Sequence, residues 1–305
     1  MLPRSVQARI GDLAADHSSG AVEIATKAAG VLVLFAAEAE AEDVESFCRE
    51  LACAGKVLIQ AQPSMAPLFY LVNTVGAAVE GARDLDAARQ LVRTTCEAFR
   101  TELGRRSESI AQQTLLLLFS VPVVLTHSRS STVLAALQLA ASRGLLDEVL
   151  CTESRPDYEG RTTAATLAEQ GIRTTLITDS AAAHFMGRAD LVLVGADSIS
   201  KVGLLNKIGT YTLALAARDR RVPFYALCGT EKFLPSNHAY FCIAPQDPQE
   251  VWPEHPKGVE VLNLYFDVTP LKYLSGVVTE QGVLTRGELQ DRLGQLKMHE
   301  MLLED

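Results

Sequence analysis

An α/β protein, with a helical N-terminal domain followed by a mainly parallel sheet with helices on both faces, follows from three observations in this 305-residue chain. Apolar residues in the first hundred positions recur at three- and four-residue steps, the stripe of amphipathic helices. Beyond them, short apolar runs alternate with helix-like stretches, the signature of βα units. Hydrophobic residues make up 48% and charged residues 21%, a balance with ample material for a core. The length suits two domains, predicted as a helical domain over 1–117 and a ligand-binding domain over 118–305.

In the first region, Ala21, Ile24, Ala25, Ala28, Val31, Leu32 and Phe35 trace one helical stripe. Leu85, Ala88, Leu91, Val92, Cys96, Phe99 and Leu103 trace another. Gly55, after Ala54, is expected to end a helix, with a short apolar run at 56–60 behind it. Positions 73–81 are weakly helical, and Asp84 is the expected cap of the helix that follows. In the second region, buried strands are expected at 121–125, 148–152, 173–178, 190–194 and 222–227. Helices are expected at 132–142, 162–170, 180–187 and 207–218. The stretch 245–256, rich in Pro, Asp and Glu, reads as a surface loop, with further strands at 259–263 and 276–279. No repeat of solenoid period is present.

The formal net charge of -9 argues against nucleic acid or an anionic membrane as the principal partner, because long-range attraction to phosphate polymers is missing. A small anion in a locally positive pocket remains compatible with it. The opening residues 1–11 have no apolar core of a secretory signal. The apolar run 28–37 is far shorter than the roughly 20 residues a bilayer requires, and 115–125 is broken by Ser120 and Pro122. The six cysteines, Cys48, Cys53, Cys96, Cys151, Cys228 and Cys242, contain no Cys-x-x-Cys pair and no His at metal-ligand spacing. Scattered thiols of this kind imply a reducing cytoplasm, with each cysteine a small core residue. No metal and no cofactor is expected.

Ligands of parallel α/β sheets sit beyond the carboxyl ends of the strands. After the strand at 121–125 come Thr126, His127, Ser128, Arg129, Ser130 and Ser131, opening a helix. Hydroxyls and free N–H groups at a helix start form an anion cradle, and Arg129 adds a fork of donors. The plainer alternative is a polar turn capped by Ser130 or Ser131. After 190–194 come Gly195, Ala196, Asp197 and Ser198. The glycine permits close approach, and Asp197 can accept a proton or hold a sugar hydroxyl; a turn cap is the alternative. Lys207, in the string Asn206, Lys207, Ile208, Gly209, Thr210, is expected at a helix start, where a cation opposes the dipole. That points to a phosphate or to pairing with Asp197, against the alternative of an exposed lysine. No dinucleotide fingerprint, Walker loop or serine nucleophile elbow is present.

In order, "LTHS" at 125–128, "TESRPDYEGR" at 152–161, "ITDSAAAHFM" at 177–186, "VGADSISKVGLLNKIGTYTLALAA" at 194–217 and "FDVTP" at 266–270 resemble one family. It unites the alpha, beta and delta subunits of translation initiation factor 2B, methylthioribose-1-phosphate isomerase and archaeal ribose-1,5-bisphosphate isomerase. The likeness is strong over roughly 110–285 and looser over the helical region, including "QPSMAPLFYLVN" at 62–73. It implies a Rossmann-like second domain and a homodimer built through it. It also implies a cysteine and an aspartate that move protons between the first two carbons of a sugar phosphate. The aspartate falls on Asp197 and the cysteine on Ser128, while Asn206 and Lys207 fall on substrate-binding positions.

Departures from the family pattern shape the functional reading. Serine is a far weaker acid than a thiol, whose ordinary pKa is about 8.5. Gln62 stands where the isomerases carry an arginine before proline, and Ser19 where many relatives have another arginine. Arg129, Arg155 and Lys207 are the compensating cations. The first reading is therefore a protein that binds a sugar phosphate or nucleoside phosphate without turning it over. The alternative is an aldose–ketose isomerase of a phosphorylated ribose, with Asp197 as acid/base and Ser128 or a water in place of the thiol. A role in translation initiation follows from family analogy alone.

Overall fold

The computed structural model describes residues 2–16, 19–118, 120–235 and 243–303. Cys242 lies outside them. The chain divides into two compact units, one of Met1–Arg105, Glu231–Tyr240 and Leu293–Asp305, the other of Arg106–Thr230 and Phe241–Arg292.

The first unit is helical. It holds α1 (Arg4–Ala14), α2 (Ala21–Glu38), α3 (Val44–Ala61), α4 (Ala66–Val79) and the larger part of α5 (Leu85–Thr114). The stripe read on α2 is its buried face, with Ile24, Ala25, Ala28, Leu32 and Phe35 fully enclosed. Phe35 meets Phe47 of α3 with ring centroids 5.4 Å apart. Asp43 starts α3 by accepting the Ser46 N–H at 2.7 Å, and Asp84 accepts the Ala87 N–H at 2.7 Å as expected of a cap. Gly55 does not end a helix. It lies inside α3, and a Cβ there would run into Cγ1 of Val72 on α4. Its missing side chain lets two helices touch, which periodicity alone does not distinguish from a stop.

The second unit is built on a seven-stranded sheet in the order β10-β9-β7-β4-β1-β2-β3. Its strands are β1 (Val123–His127), β2 (Glu148–Thr152), β3 (Thr174–Ile177), β4 (Leu191–Val194), β7 (Phe224–Leu227), β9 (Gly276–Thr279) and β10 (Gly282–Leu284). Pairing is parallel throughout except for β10 on β9. Val124, Val149, Cys151, Leu191, Leu193 and Leu227 face one core with α6 (Ser131–Ser142) and the end of α5, while Leu125, Leu150, Val192 and Val194 are buried on the other side. Burial on both faces explains why these strands read as continuous apolar runs. α6 and α7 (Glu159–Glu169) connect β1 to β2 and β2 to β3. The chain then reverses direction across the sheet through α8 (Ala182–Phe185) to β4, and right-handed crossovers place helices made after that reversal on the opposite face.

A second, three-stranded sheet consists of β5 (Ser198–Ile199), β6 (Leu204–Lys207) and β8 (Phe266–Thr269), in antiparallel order β5-β6-β8. Residues 259–263 form no strand; the strand of this region lies further on, at β8. The helix expected at 207–218 is α9 (Thr210–Arg220), and Lys207 belongs instead to β6. Among the described residues, no helix is long and apolar enough to cross a membrane, and five cysteines are free thiols, of which Cys96, Cys151 and Cys228 are buried while Cys48 is half-buried and Cys53 exposed, so not every cysteine is a core residue.

Gly55 offers a test of sign. If it were a mere helix breaker, Gly55→Ala would stabilise by up to about 1 kcal/mol through propensity. Contact with Val72 predicts the reverse, a loss of about 1–3 kcal/mol from overpacking, read as a lower urea midpoint at unchanged slope.

Candidate active site

β1 has β2 on one side and β4 on the other, so the strand order reverses at β1. That makes the carboxyl end of β1 the switch point at which a doubly wound sheet opens a crevice. His127 closes β1 opposite Val194 of β4. Ser128, the next residue, adopts φ 65°. Its N–H donates to Ser154 Oγ at 2.7 Å, and its carbonyl accepts from Thr163 Oγ1 at 2.9 Å. Its hydroxyl donates to Glu159 Oε2 at 2.5 Å. Ser128 is 9% exposed, so every polar group it carries is committed within a nearly closed site.

The loop from β2 to α7 supplies the acidic half of the site. Ser154 and Tyr158 are left-handed, with φ 61° and 57°, and the Arg155–Pro156 peptide is cis. Non-glycine residues in this region cluster at sites where the surrounding structure fixes them. Here Asp179 fixes the loop, accepting the Ser154 N–H at 2.7 Å and the Arg155 N–H at 2.8 Å. Gly160 then lets α7 close on β2, because a Cβ there would collide with the Thr152 carbonyl oxygen. The result aims Asp157 and Glu159 at Lys207.

Lys207 is 5% exposed. Its Nζ lies 2.8 Å from Asp157 Oδ2 and 3.2 Å from Glu159 Oε2, and 4.7 Å from the centre of the Tyr265 ring. Burial pulls its pKa down, but Glu159 and Asp157 outweigh that and hold it above the ordinary lysine value. The helix-dipole reading of Lys207 is therefore corrected: it ends a strand three residues before α9, and its counter-charges are Asp157 and Glu159. Tyr265 donates to Glu250 Oε1 at 2.5 Å, and burial pushes its phenol up.

Asn206 is buried and donates to Thr210 Oγ1 at 2.9 Å. Ser130 caps α6, accepting the Val133 N–H at 3.3 Å. It lies against Gly195, where an added Cβ would come within 2.7 Å of Ser130 Oγ and 3.8 Å of Asn206 Oδ1. Three of the motifs thus meet around one glycine. Asp197 follows two residues later, its N–H donating to the Leu205 carbonyl of β6 at 3.0 Å. Arg129 is exposed. Arg155 is exposed as well, its guanidinium donating to the Val251 carbonyl at 3.1 Å and stacking on Tyr158. Gln62 belongs to the first unit, where its amide donates to the Leu13 and Asp16 carbonyls at 2.9 and 3.0 Å. It does the work of a C-terminal cap for α1 there.

Glu159, Asp157, Tyr265 and Asp267 were not singled out by sequence reasoning. Asp267 accepts N–H bonds from Gly209 at 2.8 Å and Tyr211 at 3.2 Å, clasping the start of α9. Burial pushes its carboxyl up to about 6 against these donors. Asp157, Glu159 and Asp267 lie inside the quoted strings, without spacing that assigns a role, and Tyr265 lies one residue before the last of them. Among the described residues, no group of three or more His, Cys, Asp and Glu could hold a metal ion.

His127 is fully enclosed. Its Nε2 donates to the Ile208 carbonyl at 2.8 Å, so its Nδ1 accepts the Thr152 hydroxyl at 2.6 Å. Burial lowers its pKa below the usual 6.5. The unfolded chain then binds the extra proton first, so this stabilisation is present above about pH 6.5 and is lost as pH falls below it. Asp267 has the opposite sign, its contribution growing as pH falls through about 6. The difference between variants isolates the histidine: urea midpoints of the parent chain and His127→Asn, taken from pH 7.5 to pH 5, should converge. Parallel curves would remove the neutral-histidine assignment.

The model of the initiation factor 2 subunit family matches residues 17–286. Ribose 1,5-bisphosphate isomerase of Archaeoglobus fulgidus is 37% identical over 276 residues, covering 87% of this chain and 85% of that one. 5-Deoxyribose 1-phosphate isomerase of Moorella thermoacetica is 34% identical over 303 residues, covering 92% of this chain and 86% of that one. Among solved structures, translation initiation factor eIF-2B of Pyrococcus horikoshii OT3 matches with a TM-score of 0.80 and 30% identity, over 93% of this chain and 98% of that one. The chain belongs to the initiation factor 2 subunit family.

Proposed function

We propose that the protein is an aldose–ketose isomerase acting on a phosphorylated ribose. The observation that carries this reading is the nearly buried ammonium of Lys207 beside Ser128 at the switch point of the sheet. A cation kept charged in a closed crevice suits a phosphate, which offers it oxygens in place of its present carboxylates. The start of α6 behind Ser130 adds backbone donors for the same anion. Two relatives of comparable length that carry isomerase names support catalysis over mere binding. Their substrates, a ribose bisphosphate and a deoxyribose phosphate, share a phosphate on the first carbon.

In this reading Asp197 is the acid/base at the end of β4, Asn206 and Lys207 hold the substrate, and Arg129 and Arg155 are flanking cations. Binding without turnover is the second reading, favoured by one fact: Ser128 stands where the resemblance implies a thiol. We further propose a homodimer formed through the second unit, on the family resemblance, and a cytoplasmic location, on the free thiols.

Conversion of ribose 1,5-bisphosphate and of 5-deoxyribose 1-phosphate, followed by phosphorus NMR, separates the two readings. Turnover is expected by the unmodified chain. Asp197→Asn should lower it by about 10²–10⁴-fold, the ordinary worth of a general acid–base group. Ser128→Cys should raise it. Thermal stabilisation by either sugar phosphate with no product formed would replace catalysis by binding alone.

A further inference from the structure

A lone serine is a poor partner for Asp197, because its hydroxyl holds its proton too tightly near neutral pH. Ser128 is not alone. Its Oγ lies 2.5 Å from Glu159 Oε2, and that same oxygen lies 3.2 Å from Lys207 Nζ. Lys207 is shared with Asp157 at 2.8 Å. The Glu159 side chain is 20% exposed and that of Lys207 is 6% exposed, so the chain of groups is largely shielded from water. The contact is built by two separate elements, the end of β1 and the first residue of α7. The strained turns at Ser128, Ser154 and Tyr158 hold it in place.

We propose that Glu159 is the proton store behind Ser128, so that hydroxyl and carboxyl together do what the thiol does in the family's isomerases. The inference rests on the isomerase reading above. When the substrate's phosphate draws Lys207 away from Glu159, the carboxylate loses its counter-charge and takes up a proton from water. Ser128 Oγ–H then gives its proton to the ring oxygen as the bond from that oxygen to C1 breaks, and Glu159 gives its proton to Ser128 Oγ. Positive charge at C1 is shared with the oxygen of its phosphate. Asp197 next removes the proton on C2, and the electron pair of that C–H bond forms the C1=C2 enol. Asp197 returns its proton to C1, while the C2 hydroxyl gives its proton to Ser128 Oγ and Ser128 passes its own to Glu159. C2 ends as a carbonyl and C1 carries one more hydrogen; Asp197 is again a carboxylate, and Glu159 returns its proton to water when the product's phosphate leaves and Lys207 pairs with it again. Substrate and product are isomers, so no outside oxidant or reductant enters.

Glu159 touches no substrate in this scheme. It acts through Ser128, and a double-mutant cycle reads that dependence. With ribose 1,5-bisphosphate as probe, Glu159→Gln should lower kcat by about 10²–10⁴-fold with KM changed less than about threefold. Ser128→Ala should lose as much, and the double variant no more than either single one. In a Ser128→Cys chain, where a thiol supplies its own acid, Glu159→Gln should cost under about tenfold. Equal losses in the serine and cysteine backgrounds, or no loss in either, would overturn the relay and leave isomerisation standing. Activity in Ser128→Cys with none in the unmodified chain would also overturn it while preserving the site. Inactivity of both would remove the isomerase reading and the relay together. Thermal unfolding of each variant shows whether a loss is one of folding, and the Ser128→Ala arm decides the matter if Glu159→Gln does not fold.

Discussion

A charged ammonium placed almost out of reach of water is the constraint on which the site depends. Lys207 is 5% exposed, and an unpaired charge in such a place costs several kcal/mol. Its two carboxylates cannot come from its own strand. They come from the loop after β2 and from the first residue of α7, on the far side of β1 from the neighbouring β4. For Asp157 and Glu159 to reach Lys207, that loop takes a left-handed residue at each end, and Asp179 holds its N–H groups. Gly160 is required because α7 must come down onto the Thr152 carbonyl.

The same arrangement gives the serine its distinctive setting. Ser128 shares Glu159 with Lys207, so a ligand that competes for the lysine also changes what the serine's partner can do. A neutral His127 sits directly beneath, joining β2 through Thr152 to the turn before α9 through Ile208. Asp267 clasps the other side of that turn. Ser128, Lys207 and the start of α9 are thus tied together through short hydrogen bonds and ion pairs rather than through a flexible loop, the kind of support that a positioned site requires.

Most of the fold was legible in the sequence. The buried parallel strands announced themselves as apolar runs, and β2 and β9 begin and end where those runs do. The stripes of α2 and α5 became buried faces. What was misread has a common cause. Local rules make Gly55 a helix stop and Lys207 a helix-start anomaly, while each answers to a neighbour distant in sequence, Val72 for one and Asp157 with Glu159 for the other. The small antiparallel sheet was missed for the same reason, since β5 is two residues long and β6 pairs with a strand some sixty positions away.

The sequence by itself determined the class of fold, the family, and the types of group available at the strand ends: a serine in place of a thiol, an aspartate, an asparagine and a lysine. Periodicity and ordered strings carry that much, because each is a property of residues near one another in the chain. Only the tertiary structure decided that Ser128 has a carboxylate partner, that this partner is Glu159, and that Lys207 is held by the same oxygen. Gln62 likewise found its role only there, on the carbonyls of Leu13 and Asp16. The physical reason is that a proton's affinity for its site is set by what lies within about 4–6 Å, and in this chain those neighbours arrive from β1, β6 and α7 at once.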